Sequence, residues 1–230
     1  METSKINWRS RIRLVDEVAD ELRERIYSGD YAMGSKLRQE QLAEDLQVSR
    51  TPLREALRVL ESEGLLHSEP GRGVRVTPAD PARFIAAFQL REVVDGLAAR
   101  LAALHPDRGA RAALYERIEE QAAALEPWSA ADYTRANVAF HIDVLNLSDN
   151  QYVAAEAPLV RMTSQVFTPV ALLEPSRATH AVEQHRAIAA AIVAGDSRAA
   201  ERLARGHIRT TIDQIAKHTA SAAPAPPADD

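Results

Sequence analysis

The segment QEQLAEDLQVSRTPLREALRVLESEGLLHSEPGRGVRV, residues 39–76, leaves little choice of fold. A short amphipathic run, Gln39 to Leu46, breaks at Gln47-Val48, and a second run begins at Ser49-Arg50-Thr51-Pro52. Ser49 or Thr51 can cap the second helix, and Pro52 falls in its first turn, where a missing N–H costs little. Leu53, Ala56, Leu57 and Leu60 recur at helical spacing and make a stripe to be buried. Arg50, Arg54 and Arg58 form a cationic ridge on another side of the same helix. Such a helix packs one face on a small domain and offers the other to a DNA major groove. A hairpin should follow, with Leu65 and Leu66 pairing with Val74 and Val76 around Pro70-Gly71-Arg72-Gly73. A glycine-rich tip carrying Arg72 suits insertion beside a phosphate backbone or into a minor groove. Each feature taken singly also fits a helical domain with solvated arginines; the ordered combination points to DNA.

Composition must be reconciled with that expectation, because the 230-residue chain carries a net charge of -5. Recognition depends on a local basic patch rather than on total charge. Asp16, Glu17, Asp20 and Glu24 can sit on the back of a first helix, away from DNA. The basic residues are almost all arginine, which favours bidentate contacts to guanine and phosphate. The absence of cysteine excludes disulfides and thiolate metal sites and suits a reducing cytoplasm. No apolar run approaches the roughly 20 residues needed to span a bilayer, and the N-terminus lacks a hydrophobic signal core. The expected home is therefore cytoplasmic, with no membrane partner.

The chain reads as mainly α. A first helix is expected over Arg13 to Ser28, with Leu14, Val18, Leu22 and Ile26 on one stripe, and a turn-rich connection over Gly29 to Leu37. The winged helix-turn-helix unit spans 1–77, and residues 78–81, bounded by Pro78 and Pro81, form a linker. Residues 82–219 read as an all-α bundle of about six helices, near 80–104, 107–125, 130–147, 150–172, 176–194 and 197–219. The Pro/Ala-rich tail, 220–230, is expected to be disordered.

Three histidines in the bundle share faces with apolar residues. His141 lies with Val138, Val144 and Leu145, with Asn137 one turn earlier; His185 lies with Ala181, Ile188 and Ile192; His207 lies with Ala200, Leu203 and Ala204. Converging in the interior, they would bind a divalent cation through neutral ring nitrogens, with Asn137 Oδ1 as a further ligand and positions left for water or an anion. Periodicity alone leaves open the alternative of three core histidines hydrogen-bonded to backbone.

Residues 12–77 resemble the winged helix-turn-helix of GntR-type bacterial transcription regulators, and VSRTPLREALRVLESEGLL is similar to that family's signature. The resemblance implies contacts to base edges or adjacent phosphates from Arg50, Thr51 and Arg54, and a wing tip at Gly71 and Arg72. Arg38, just before the second helix, and Ser49 complete the expected DNA-facing set. Glu40 and Gln41 depart from the pattern where relatives often carry a basic residue, as does Gln47 where glycine is usual.

Residues 80–219 resemble the FCD-type ligand-binding domain of the FadR subfamily. Many of its members carry an Asp/Asn-x3-His on one helix and single histidines on two later ones, at the positions of Asn137, His141, His185 and His207. That implies a divalent metal, zinc first, with nickel or manganese as alternatives. Asn137 in place of the commoner aspartate leaves the ion's charge undiminished and favours a carboxylate effector. Relatives often turn an arginine at the position of Arg91 toward the effector; the competing role here is an ion pair with Asp95, one turn on. The resemblance further implies a homodimer on a palindromic double-stranded operator, acting as a repressor. The rival readings are a regulator whose signal is the metal itself and, more remotely, a three-His metal enzyme.

Overall fold

A computed structural model describes residues 8–69, 73–78, 80–168 and 173–222. The chain divides between Ala79 and Asp80 into two compact units.

In the first unit, α1 (Trp8–Tyr27) turns Val15, Val18, Ala19, Leu22 and Ile26 inward. Leu14, expected on that stripe, is exposed, because the helix rotates Val15 into its place. Helices α2 (Gln39–Asp45) and α3 (Arg50–Ser62) follow. The turn between them is a Schellman closure, in which Gln47 N–H donates to the Glu44 carbonyl and Val48 N–H to the Ala43 carbonyl. That closure puts Gln47 in the left-handed region at φ 52, the conformation glycine adopts without strain. Leu53, Ala56, Leu57 and Leu60 are all buried, each leucine contributing roughly 1.5–3 kcal/mol. Ser49 occupies the N-cap with extended backbone, but its hydroxyl makes no capping bond.

A three-stranded sheet closes the unit. β1 (Lys36–Leu37), β2 (Leu66–Glu69) and β3 (Gly73–Val76) are antiparallel in the order β1-β3-β2. Leu66 faces Val76 and Ser68 faces Val74 in the hairpin. β1 falls in the stretch expected to be turns only, since two residues cannot display alternation; it is held by pairing with Val74 and Arg75. The wing-tip residues Gly71 and Arg72 lie outside the described residues.

The regular elements of the second unit's described residues are all helices, with one isolated antiparallel bridge between Leu125 and Trp128 in the connection that precedes Ala130. α4 (Pro81–Ala102) begins at the second linker proline, with Asp80 as N-cap accepting from Ala82 N–H at 3.0 Å. Pro81 therefore starts a helix rather than ending a linker, because the first helical position needs no N–H. Next come α5 (Arg108–Ala112), α6 (Leu114–Ala123), α7 (Ala130–Leu147), α8 (Gln151–Ala154) and α9 (Ala157–Arg161). α9 widens into a π-helical turn, Met162–Val166, and α10 (Pro175–Ala194) and α11 (Ser197–Ala222) complete the order. Two of the six expected helices are thus broken, near Ala113 and near Ala155-Glu156. α11 also runs three residues into the expected tail, whose remainder lies outside the described residues. The core joins α4, α6, α7, α10 and α11 through Ala98, Ala102, Ile118, Phe140, Ile188 and Ile192, among others. Among the described residues no helix is long and apolar enough to cross a membrane.

Candidate functional site

α7, α10 and α11 carry His141, His185 and His207 to one point of the second unit's interior, each nine-tenths or more buried. One potential ligand nitrogen from each lies within 4.8 Å of the other two. What decides the chemistry is the partner of each opposite ring nitrogen.

His185 Nδ1 is 2.7 Å from Gln121 Oε1. The Gln121 amide cannot be turned round, since its Nε2 donates to the Ala136 carbonyl at 3.2 Å. His207 Nδ1 is 2.8 Å from Gln184 Oε1, and Gln184 Nε2 donates to Thr210 Oγ1, whose own hydrogen goes to the Gly206 carbonyl. His141 Nδ1 is 2.9 Å from Asp95 Oδ2. Three acceptors thus fix all three rings as Nδ1–H tautomers and leave three Nε2 lone pairs pointing inward. His185 Nε2 and His207 Nε2 are 3.1 Å apart with no proton to share, and His141 Nε2 is buried with no hydrogen-bond partner among the described residues.

Burial lowers the pKa of all three imidazoles, and those of His185 and His207 fall well below the usual range, with neighbouring histidine and Arg91 charge adding to the effect. The neutral form is the one that binds metal. Two nitrogens bound tetrahedrally at about 2.0–2.1 Å stand about 3.4 Å apart, close to the 3.1 Å between His185 and His207, and His141 offers the third nitrogen of the group. Carboxylate or amide oxygens behind each ligating histidine are the usual means of fixing ring orientation.

Asp95 also accepts from Arg91 Nε at 3.3 Å. Burial opposes its charge, yet the Arg91 guanidinium and His141 outweigh that and hold it below the ordinary carboxylate range. Arg91 is itself buried, and its Nη1 donates to Thr163 Oγ1 and Ser164 Oγ, both at 2.9 Å, on the π-helical turn. Of its two expected roles, the ion pair with Asp95 is present. Arg91 nevertheless lines a cavity of ≈ 90 Å³ together with Asn137, His141, Ser164, Arg177 and His207. Asn137 lies one turn before His141 and reaches Ser164 Oγ at 3.5 Å through Nδ2.

Sequence reasoning missed Gln121 and Gln184 and saw Asp95 only as a partner for Arg91. Gln121 had a signal: it continues the stripe of Leu114 and Ile118 and is fully buried. Gln184 had none, because it lies beside the stripe of α10 and reaches His207 only across the helix pair.

In the first unit, Arg38, Ser49, Arg50, Thr51, Arg54 and Arg58 are all exposed, and α3 presents the last four along its outer side. Arg50 Nη2 donates to Glu40 Oε1 at 3.0 Å.

Residues 14–76 match the family described as bacterial regulatory proteins, gntR family, and residues 86–210 match the FCD domain. The chain is similar to a probable D-xylose utilization operon transcriptional repressor of Paenarthrobacter nicotinovorans, at 29% identity over 86% of this chain and 87% of that protein. It is similar at 30% identity to an uncharacterized HTH-type transcriptional regulator of Streptomyces ambofaciens, over 84% of this chain and 81% of that one. In fold it is similar to E. coli McbR/YncC, with a TM-score of 0.76 at 22% identity, covering 90% of this chain and 98% of the other.

Proposed function

This chain belongs to the gntR family of bacterial regulatory proteins and carries an FCD domain, and we propose that a metal centre and its adjoining cavity set how tightly it holds DNA. It is a transcription regulator. In our reading it acts as a repressor, as the Paenarthrobacter relative's name states of that protein. Two copies would place their α3 helices in successive major grooves of a palindromic operator, about 34 Å apart. Arg50, Thr51 and Arg54 would meet base edges, with Arg38, Ser49 and the wing tip, Gly71 and Arg72, on or near phosphates.

The observation that carries the metal reading is the convergence of three deprotonated Nε2 atoms, each fixed from behind. His141, His185 and His207 would hold a divalent ion, zinc before nickel or manganese, with Asn137 Oδ1 as a further ligand. The bound ion supplies positive charge and open coordination for an anion. The chain's own part is to shape the cavity and place Asn137 and Arg177 on its wall. A small carboxylate fits that setting, because the ligands are neutral and Asp95 is already matched by Arg91. To act allosterically it must bind one arrangement of the regulator more tightly, typically by ~1–3 kcal/mol.

Metal analysis of the purified protein, followed by operator binding across a panel of carboxylic acids, tests this reading. One ion per chain and an affinity change with some carboxylate, but not with sugars or amines, is the expected result. A metal-free protein sinks the reading. Operator binding that follows metal concentration alone would make the ion the signal.

A further inference from the structure

Glu40 places a carboxylate on the surface expected to meet a polyanion. Its side chain is 80% exposed in the first turn of α2, and its Oε1 accepts a hydrogen bond from Nη2 of Arg50, 75% exposed at the first position of α3. The pair bridges the helix-turn-helix from one helix to the other. An exposed ion pair of this kind adds little to stability. An acidic residue in a helix's first turn has a use of its own in facing the dipole, but that use requires no contact with Arg50.

The contact matters for what Arg50 can do next. One bond at Nη2 engages a single donor of the five that a guanidinium offers, so Arg50 can hold Glu40 and a base edge together. An arginine already tethered loses less freedom on docking in that pose, and more in any other. The Glu40 charge also repels phosphates, which carry most sequence-independent affinity.

We propose that Glu40 is a specificity-determining residue that tethers Arg50, directs it to a base edge rather than to phosphate, and trades affinity for discrimination. The proposal rests on the reading of α3 as the helix that enters the groove. Both side chains are exposed, so substitutions at either leave the fold intact.

The test uses the full chain and its Glu40→Gln and Arg50→Ala variants. Each is measured on a duplex selected from a random library by the wild type, on all its single-base-pair variants, and on random-sequence duplex. Glu40→Gln should bind the random duplex about two- to fivefold tighter. Its salt dependence should steepen by up to about one in log–log slope. Its discrimination should fall by about threefold or more at one base pair, the same pair whose preference Arg50→Ala abolishes. Wild-type discrimination at every position in Glu40→Gln overturns the proposal while leaving the α3 reading intact. Loss at a base pair indifferent to Arg50→Ala overturns it likewise. If Arg50→Ala changes neither affinity nor preference, the role given to Arg50 fails, and the Glu40 proposal falls with it.

Discussion

His185 and His207 face each other through Nε2 atoms 3.1 Å apart while their Nδ1 atoms are held by Gln121 and Gln184. Two lone pairs directed at one another in a buried space repel unless a cation lies between them. The arrangement is therefore one that a bound ion relieves.

Removal of that ion should be visible as lost stability. At a metal concentration 100 times its dissociation constant, binding adds about 2.7 kcal/mol. For a unit of this size a chelator should then lower Tm by about 5–10 °C in the wild type. His185→Ala should melt at one temperature with or without chelator, and calorimetry on both proteins makes the comparison. Equal chelator shifts in the two would remove the metal reading.

The glutamines behind the histidines should tune affinity without being ligands. Gln121→Leu and Gln184→Leu free one ring each to rotate and change tautomer. Each should weaken metal binding about 10- to 100-fold at unchanged stoichiometry. Competition against a chromophoric chelator measures this, and wild-type affinity in both variants would refute it.

Arg91 and Asp95 should behave as a coupled buried pair. Arg91→Met leaves the Asp95 charge without its main counter-charge and should cost about 3–5 kcal/mol. In an Asp95→Asn background the same substitution should cost far less. Urea melts of the four proteins in the cycle give the coupling. Additive costs would mean that Arg91 is held for the cavity alone.

Gln47 holds φ 52 in the turn before α3. Gln47→Gly removes the side-chain clash of that conformation, partly offset by a freer unfolded chain. A net gain of about 0.5–1 kcal/mol should appear in a thermal melt, with operator affinity unchanged. A loss of stability would show that the Gln47 side chain contributes something other than strain.

On the DNA-facing side, Arg54→Ala should cost roughly 1–3 kcal/mol of specific affinity, concentrated at one base pair. Uniform weakening across all sequences would assign Arg54 to phosphate instead.

Much of this protein was determined by local pattern alone. The stripe of Leu53, Ala56, Leu57 and Leu60 sets the inner face of α3, and with it the exposure of Arg50 and Arg54, because a helix has only one way to bury that spacing. The inward faces of His141, His185 and His207 followed from the same rule. Local pattern could not decide what happens when two helices meet. That His185 lies 3.1 Å from His207, that Asp95 is shared by Arg91 and His141, and that Gln121 and Gln184 fix the tautomers are consequences of packing. Gln121 and His185 are 64 residues apart, and their hydrogen bond exists because α6 and α10 lie side by side in the bundle. Helical periodicity assigns a residue to a face, whereas the identity of the atom across from it depends on how the helices are set against one another, which only the tertiary structure decides.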